Sequence, residues 1–217
     1  MHRLKLLKED IIQVKDRFPK LTFRKIDDSK NYFLSGELDI CDTKGEYWDT
    51  FEIIVLIPDT YPFCIPTVIE KSLIIPRTLD RHISEEGICC LDISHSLILL
   101  SKKGIRLHKF IAEKVYPYFA NQLYFRENGF YAGEEYAHYF EGIKQFYREE
   151  LKIDSPYLAV TFINQILLKQ ISRRNDKCPC NSGNKFKNCH LASIDLMNII
   201  GVDRLTDDLN QFCSILA

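Results

Sequence analysis

Three thiols and an imidazole fall within a short stretch near the end of the chain, as Cys178-Pro179-Cys180 and, after eight intervening residues, Cys189-His190. So short a segment buries too little apolar surface to hold its own shape, so its conformation has to come from a cross-link. Thiolates and imidazole are the donors from which structural metal sites are made, and their clustering constrains this part of the chain more than any hydrophobic pattern does. The remainder has material for an ordinary core. With 217 residues, 46% of them hydrophobic and 12% aromatic, the chain can carry one domain of about 150 residues and an extension.

The formal net charge is −1, which gives no general field for nucleic acid or an anionic membrane. No apolar run reaches the roughly 18 residues that span a bilayer, and Lys5, Lys8, Glu9 and Asp10 break up any secretory leader. The eight cysteines are therefore expected in a reducing cytoplasm, serving catalysis, metal binding or packing rather than disulfides.

Periodicity divides the chain into helical and extended stretches. Leu4, Leu7, Ile11, Val14 and Phe18 recur at helical steps, and Pro19 stops the pattern. Tyr32, Leu34, Gly36, Leu38 and Ile40 alternate, Asp42 to Gly45 form a turn, and Phe51 to Ile57 are β-branched and apolar, which predicts an antiparallel meander. Pro58, Pro62, Pro66 and Pro76 keep the next segment extended or turned. Further on, Leu107 to Tyr118, Tyr136 to Leu151 and Ile194 to Leu216 show helical spacing, the aromatics Phe146 and Tyr147 reading as core. The result is an α+β chain. The expected domains are residues 1–154, a connecting helix over 155–172, and a terminal module over 173–217, entered through the polar stretch Arg173 to Asp176.

Chemistry concentrates after the proline-rich segment, in Gly87-Ile88-Cys89-Cys90-Leu91-Asp92-Ile93, with His82 eight residues before Cys90 and Tyr61-Pro62-Phe63-Cys64-Ile65-Pro66 upstream. This run resembles the active-site segment of ubiquitin-conjugating enzymes, where His-Pro-Asn precedes Gly-x-Ile-Cys-Leu-Asp-Ile. Asp80-Arg81-His82 takes the place of the tripeptide, a variation that divergent bacterial relatives also show at the histidine. The resemblance implies the conjugating fold (UBC-like) for residues 1–154, with Tyr61, Phe63 and Pro66 stacking under the loop. It implies Cys90 as the nucleophile, because a thioester carrier needs a sulfur that both attacks and leaves. Adjacent residues of an extended segment point to opposite sides, so Cys89 is expected to pack inward as a small hydrophobe. His82 would either donate a hydrogen bond to the developing oxyanion or take the proton of the attacking amine. Asp92 reads as structural.

Glu127 to Gly142 resembles a segment of bacterial conjugating-enzyme homologues from antiphage operons, in which a Gly-Glu pair is followed by a histidine, here His138. A packed helix-face role suits His138 better than a catalytic one. Cys178 to His190 resembles the SEC-C zinc knuckle, named for the tail of a protein-translocation motor. That resemblance implies a structural zinc held by Cys178, Cys180, Cys189 and His190 with no position open for water. Ser182-Gly183 supplies the tight turn, and Asn181 suits a left-handed backbone position. Arg173, Arg174, Lys177, Lys185 and Lys187 make one basic face beside it.

Together these resemblances imply a cysteine-thioester acyl transferase of bacterial antiviral defence. Its expected partners are a ubiquitin-like modifier or an immune nucleotide cyclase, an activating enzyme and a target protein, and neither nucleic acid nor membrane is expected among them. The alternative is a non-catalytic module that binds ubiquitin-like proteins, or a zinc-knuckle adaptor.

Overall fold

The computed structural model describes residues 2–26, 31–133, 137 and 139–216. They form a mixed α+β protein of two compact units: Met1–Asp92 with Leu100–Glu135, and Ile93–Leu99 with Tyr136–Ala217.

In the first unit, helix α1 (His2–Arg17) precedes four strands: β1 (Leu21–Lys25), β2 (Tyr32–Cys41), β3 (Tyr47–Ile57) and β4 (Thr67–Glu70). They pair antiparallel in the order β1-β2-β3-β4. The alternation read from sequence sets the register: Leu34 lies opposite Val55 and Leu38 opposite Phe51, and all four are buried. The turn between β2 and β3 is closed by the Asp42 carboxylate, which accepts the Lys44 and Glu46 N–H groups at 2.8 Å each. β4 lies within the proline-rich segment, beyond the meander expected from periodicity, because Val68 and Glu70 still alternate inward.

A continuous helix over 107–128 lies on this sheet, where Phe51 and Phe119 approach at 4.6 Å between ring centres. It begins as α3 (Leu107–Phe110), passes through a π-helical stretch at Ile111–Val115, and continues as α4 (Tyr116–Asn128). Leu107, Phe110, Ile111, Val115, Phe119 and Leu123 are its buried side. Gly129, in the left-handed conformation, ends it by returning its N–H to the Phe125 carbonyl.

Buried Asp10 of α1 ties the proline-rich turn to the start of that helix. It accepts from the Tyr61 hydroxyl, from Arg106 Nε at 2.9 Å, and lies 2.8 Å from His108 Nδ1. A buried carboxylate needs such partners to offset lost hydration. Phe63 does not stack beneath the loop as expected. It is 62% exposed, because the turn closed by its N–H to Thr60 O leaves the ring on the outside.

In the second unit, α5 (Tyr139–Glu149), α6 (Pro156–Leu167), α7 (Leu191–Ile200) and α8 (Val202–Ser214) bury Phe146, Tyr147, Phe162, Met197, Leu205 and Phe212 in one core. Helix α5 and the following Leu151 and Ile153, which sequence spacing places in a domain ending at 154, share this core with Cys178 and Phe186. Helix α2 (Ser94–Lys103) contributes fully buried His95, whose Nε2 lies 2.7 Å from Asp208; Tyr147 and Arg204 also donate to that carboxylate. No helix among the described residues is long and apolar enough to cross a membrane.

Candidate functional site

The Cys90 loop is an extended segment bridged on both sides, by β4 and by the residues that follow His82. On one side Glu70 N–H donates to Gly87 O (2.8 Å) and Cys89 N–H to Val68 O (2.9 Å), extending the sheet from β4. On the other, Ser84 N–H donates to Ile88 O (2.9 Å) and Cys90 N–H to His82 O (2.8 Å). This fixes the alternation of the two cysteines: Cys89 is buried and Cys90 exposed. Burial pushes the Cys89 thiol up to about 12, so at neutral pH it is a packed, un-ionised group. Gly87 is required where it stands. Its φ is +85°, and a Cβ there would lie 2.5 Å from Glu70 O. Asp92 pairs with Lys114 Nζ at 2.5 Å in the π-helical stretch.

His82 follows a single 3-10 turn (Leu79–Arg81) and adopts φ 49°, ψ 43°. A β-carbon makes this conformation costly, and histidine, asparagine and aspartate are the non-glycine residues that enter it most readily. The conformation is held from outside. The carbonyl of Asp80 accepts from Tyr131 Oη (2.9 Å), that of Arg81 from Gln122 Nε2 (2.9 Å), and that of His82 from Tyr118 Oη (3.0 Å) as well as from Cys90 N–H. Arg81 completes the grip in reverse, giving Nε to Gln122 Oε1 (2.9 Å) and laying its guanidinium 4.1 Å from the centre of the Phe125 ring. Tyr118, Gln122 and Phe125 share one face of α4, four and three residues apart. Burial raises the Tyr118 hydroxyl far above neutrality, so it stays a donor. The His82 ring is tilted against Tyr131 at 5.6 Å. His138 lies outside the described residues.

Sequence spacing singles out Cys90 and His82, and one backbone hydrogen bond links the two residues. It misses Tyr118, Gln122, Phe125 and Tyr131 as their supports. The helical spacing of the first three was the available signal, but it names no target.

The second site lies in the second unit. Cys178, Cys180, Cys189 and His190 bring their ligand atoms within 4.8 Å of one another. His190 Nδ1 faces Cys178 Sγ (3.3 Å) and Cys189 Sγ (3.2 Å), while Nε2 is 2.9 Å from the Lys152 carbonyl. A carbonyl only accepts, so Nε2 carries the proton and Nδ1 turns its lone pair into the cluster, the tautomer a metal needs. Partial burial raises the Cys180 thiol, but the Ser182 hydroxyl and backbone, with the neighbouring thiols, outweigh it and bring it down to about 6. Asn181 (φ 60°) and Gly183 (φ 78°) both take left-handed conformations, which turn the chain sharply enough to return it to Cys189. The four residues can hold a metal ion with a closed donor set.

Compared with known families, residues 174–192 match the SEC-C motif, and with the Cys/His cluster this fits a zinc knuckle. No curated protein matches the chain.

Proposed function

We propose that the first unit is a ubiquitin-conjugating-type acyl transferase of UBC-like fold, with Cys90 as carrier and His82 beside it, and that the knuckle holds a structural zinc. The observation that carries this reading is the Cys90 N–H to His82 O bond, which ties the backbone of the residue with the exposed thiol to that of a clamped histidine while Cys89 is turned inward. The order of helix, antiparallel sheet, proline-rich turn, cysteine loop and helix supports it.

In the loading step the Cys90 thiolate attacks the thioester carbonyl of a donor, and collapse expels the donor's thiolate. In the discharge step an amine attacks the Cys90 thioester. The tetrahedral intermediate collapses with loss of the Cys90 thiolate, and the amine's proton passes to His82 or to water. His82 either takes that proton or donates an N–H to the oxyanion, a contact worth about 3 kcal/mol in comparable sites. Zinc, when bound, supplies cross-linking of the knuckle and no reaction step, since its four donors leave no open position. The cargo is a ubiquitin-like modifier or a nucleotide cyclase, loaded onto Cys90 by an activating enzyme and passed from Cys90 to a target amine in bacterial antiphage defence.

The test is a thioester assay with the cognate donor system, run on non-reducing gels. A reducible adduct that is lost in Cys90→Ala and kept in Cys89→Ala is expected. No adduct from a donor proven competent on another carrier would replace this reading with the binding module.

A further inference from the structure

The knuckle presents its cations in an arrangement that costs energy in the free protein. Cys178 N–H donates to Asn184 O and Phe186 N–H to Asp176 O, both at 2.9 Å, so Lys177 and Lys185 face each other between these bonds. They occupy a non-hydrogen-bonded antiparallel pair, the geometry that brings opposing side chains closest, and like charges placed there repel. Next along, Lys187 N–H donates to Arg174 O at 3.0 Å, which brings a third and a fourth cation alongside, and Arg173 adjoins them. All five are exposed, and none pairs with an acid among the described residues. The one carboxylate of the stretch, Asp176, accepts the Arg173 backbone N–H at 3.0 Å. A divalent ion with three thiolates carries one net negative charge, too little to balance five cations.

From this we infer that the knuckle ladder is a binding surface for the phosphate backbone of a nucleic acid. The rest of its exposed surface decides between polyanions. From Arg173 to Asn188 the other exposed residues are Asn175, Asp176, Asn181, Ser182, Gly183, Asn184 and Asn188, and the apolar Phe186 is fully buried. A protein-docking surface is built around desolvated apolar or aromatic anchors, and between Arg173 and Asn188 none is exposed. Cations interspersed with amides and a hydroxyl are the composition of surfaces that hold phosphate and sugar, polar and wet. The net charge of −1 hides the feature, because five cations share one turn-linked ladder with a single acid, Asp176, while the balancing acids lie elsewhere in the sequence. The inference is independent of any transfer reaction at Cys90.

The experiment uses the metal-loaded full chain and fluorescence anisotropy with a labelled 20-nucleotide single-stranded RNA. With about four phosphates contacted, affinity should fall about 50-fold between 50 and 200 mM salt. Lys177→Gln/Lys185→Gln should weaken binding about tenfold and flatten the logarithmic salt slope by about 1.4. Arg174→Gln/Lys187→Gln, a second pair on the same ladder, should act alike, and Lys5→Gln/Lys8→Gln on α1 should change nothing. Because it relieves repulsion, Lys177→Gln alone should raise the thermal midpoint while it lowers affinity. Undiminished binding by both ladder variants, a lowered midpoint in Lys177→Gln, or tighter binding to a glutamate-rich peptide or phosphatidylserine vesicles than to RNA would each overturn the inference.

Discussion

The two cysteine sites use one functional group in opposite ways. In the first unit an extended strand splits neighbouring thiols, Cys89 inward and Cys90 outward, and the nearby histidine is gripped by its backbone carbonyl. In the second, left-handed turns at Asn181 and Gly183 bend the chain until three thiols and an imidazole meet at one point. Exposure of a single sulfur suits reaction, whereas convergence of several suits coordination. The difference lies in backbone conformation rather than in composition.

The comparison breaks most visibly if metal is removed. His190→Ala, or a strong chelator, should unfold the knuckle, because structural zinc sites draw about 10–16 kcal/mol of apparent binding free energy into folding. Metal content and the thermal midpoint should both drop, while alkylation of Cys90 proceeds at its former rate. Slowed Cys90 labelling would show that the two sites are not separable.

A smaller effect distinguishes the paired thiols. The Cys89 thiol is raised in the folded state relative to its ordinary value, so folding favours its protonated form. That stability is complete below about pH 9 and is lost as pH rises toward about 12, by as much as about 4 kcal/mol at about 1.4 kcal/mol per pK unit. Denaturant melts across this range should steepen for the wild type and flatten for Cys89→Ala. Identical pH profiles for the two would count against a buried, neutral Cys89.

The smallest change tests the clamp. Gln122→Leu takes the donor from the Arg81 carbonyl and the acceptor from Arg81 Nε, at a cost of about 1–3 kcal/mol. Urea unfolding reads that cost. If the clamp positions His82, discharge of a Cys90 thioester should slow several-fold while loading is largely kept, and an equal loss in both steps would point to a purely structural role.

Much of this was legible in sequence for a physical reason: side-chain chemistry at fixed spacing survives without knowledge of the fold. Cys90, His82 and the four knuckle donors are of that kind, as is the alternation that gives β2 and β3. Contacts to backbone carbonyls are not. The Lys152 carbonyl that fixes the His190 tautomer has no side-chain signature, nor do the carbonyls of residues 80–82 that Tyr118, Gln122 and Tyr131 hold. The partnership of α5 with the knuckle core was likewise hidden, because an amphipathic helix states which face is apolar and not what will cover it.

The π-helical stretch at Ile111–Val115 sets the angular phase of everything after it. Each residue of an α-helix advances the face by about 100°, so one residue deleted there would swing Tyr118, Gln122 and Phe125 to another bearing. Phe119 and Leu123 would rotate off the sheet by the same angle. The wide turn thus works as a keyway: it lets Leu107 and Phe110 before it, and Phe119, Leu123 and the clamp residues after it, each take the bearing they need, and a straight α-helix of the same sequence could seat one end only by turning the other away.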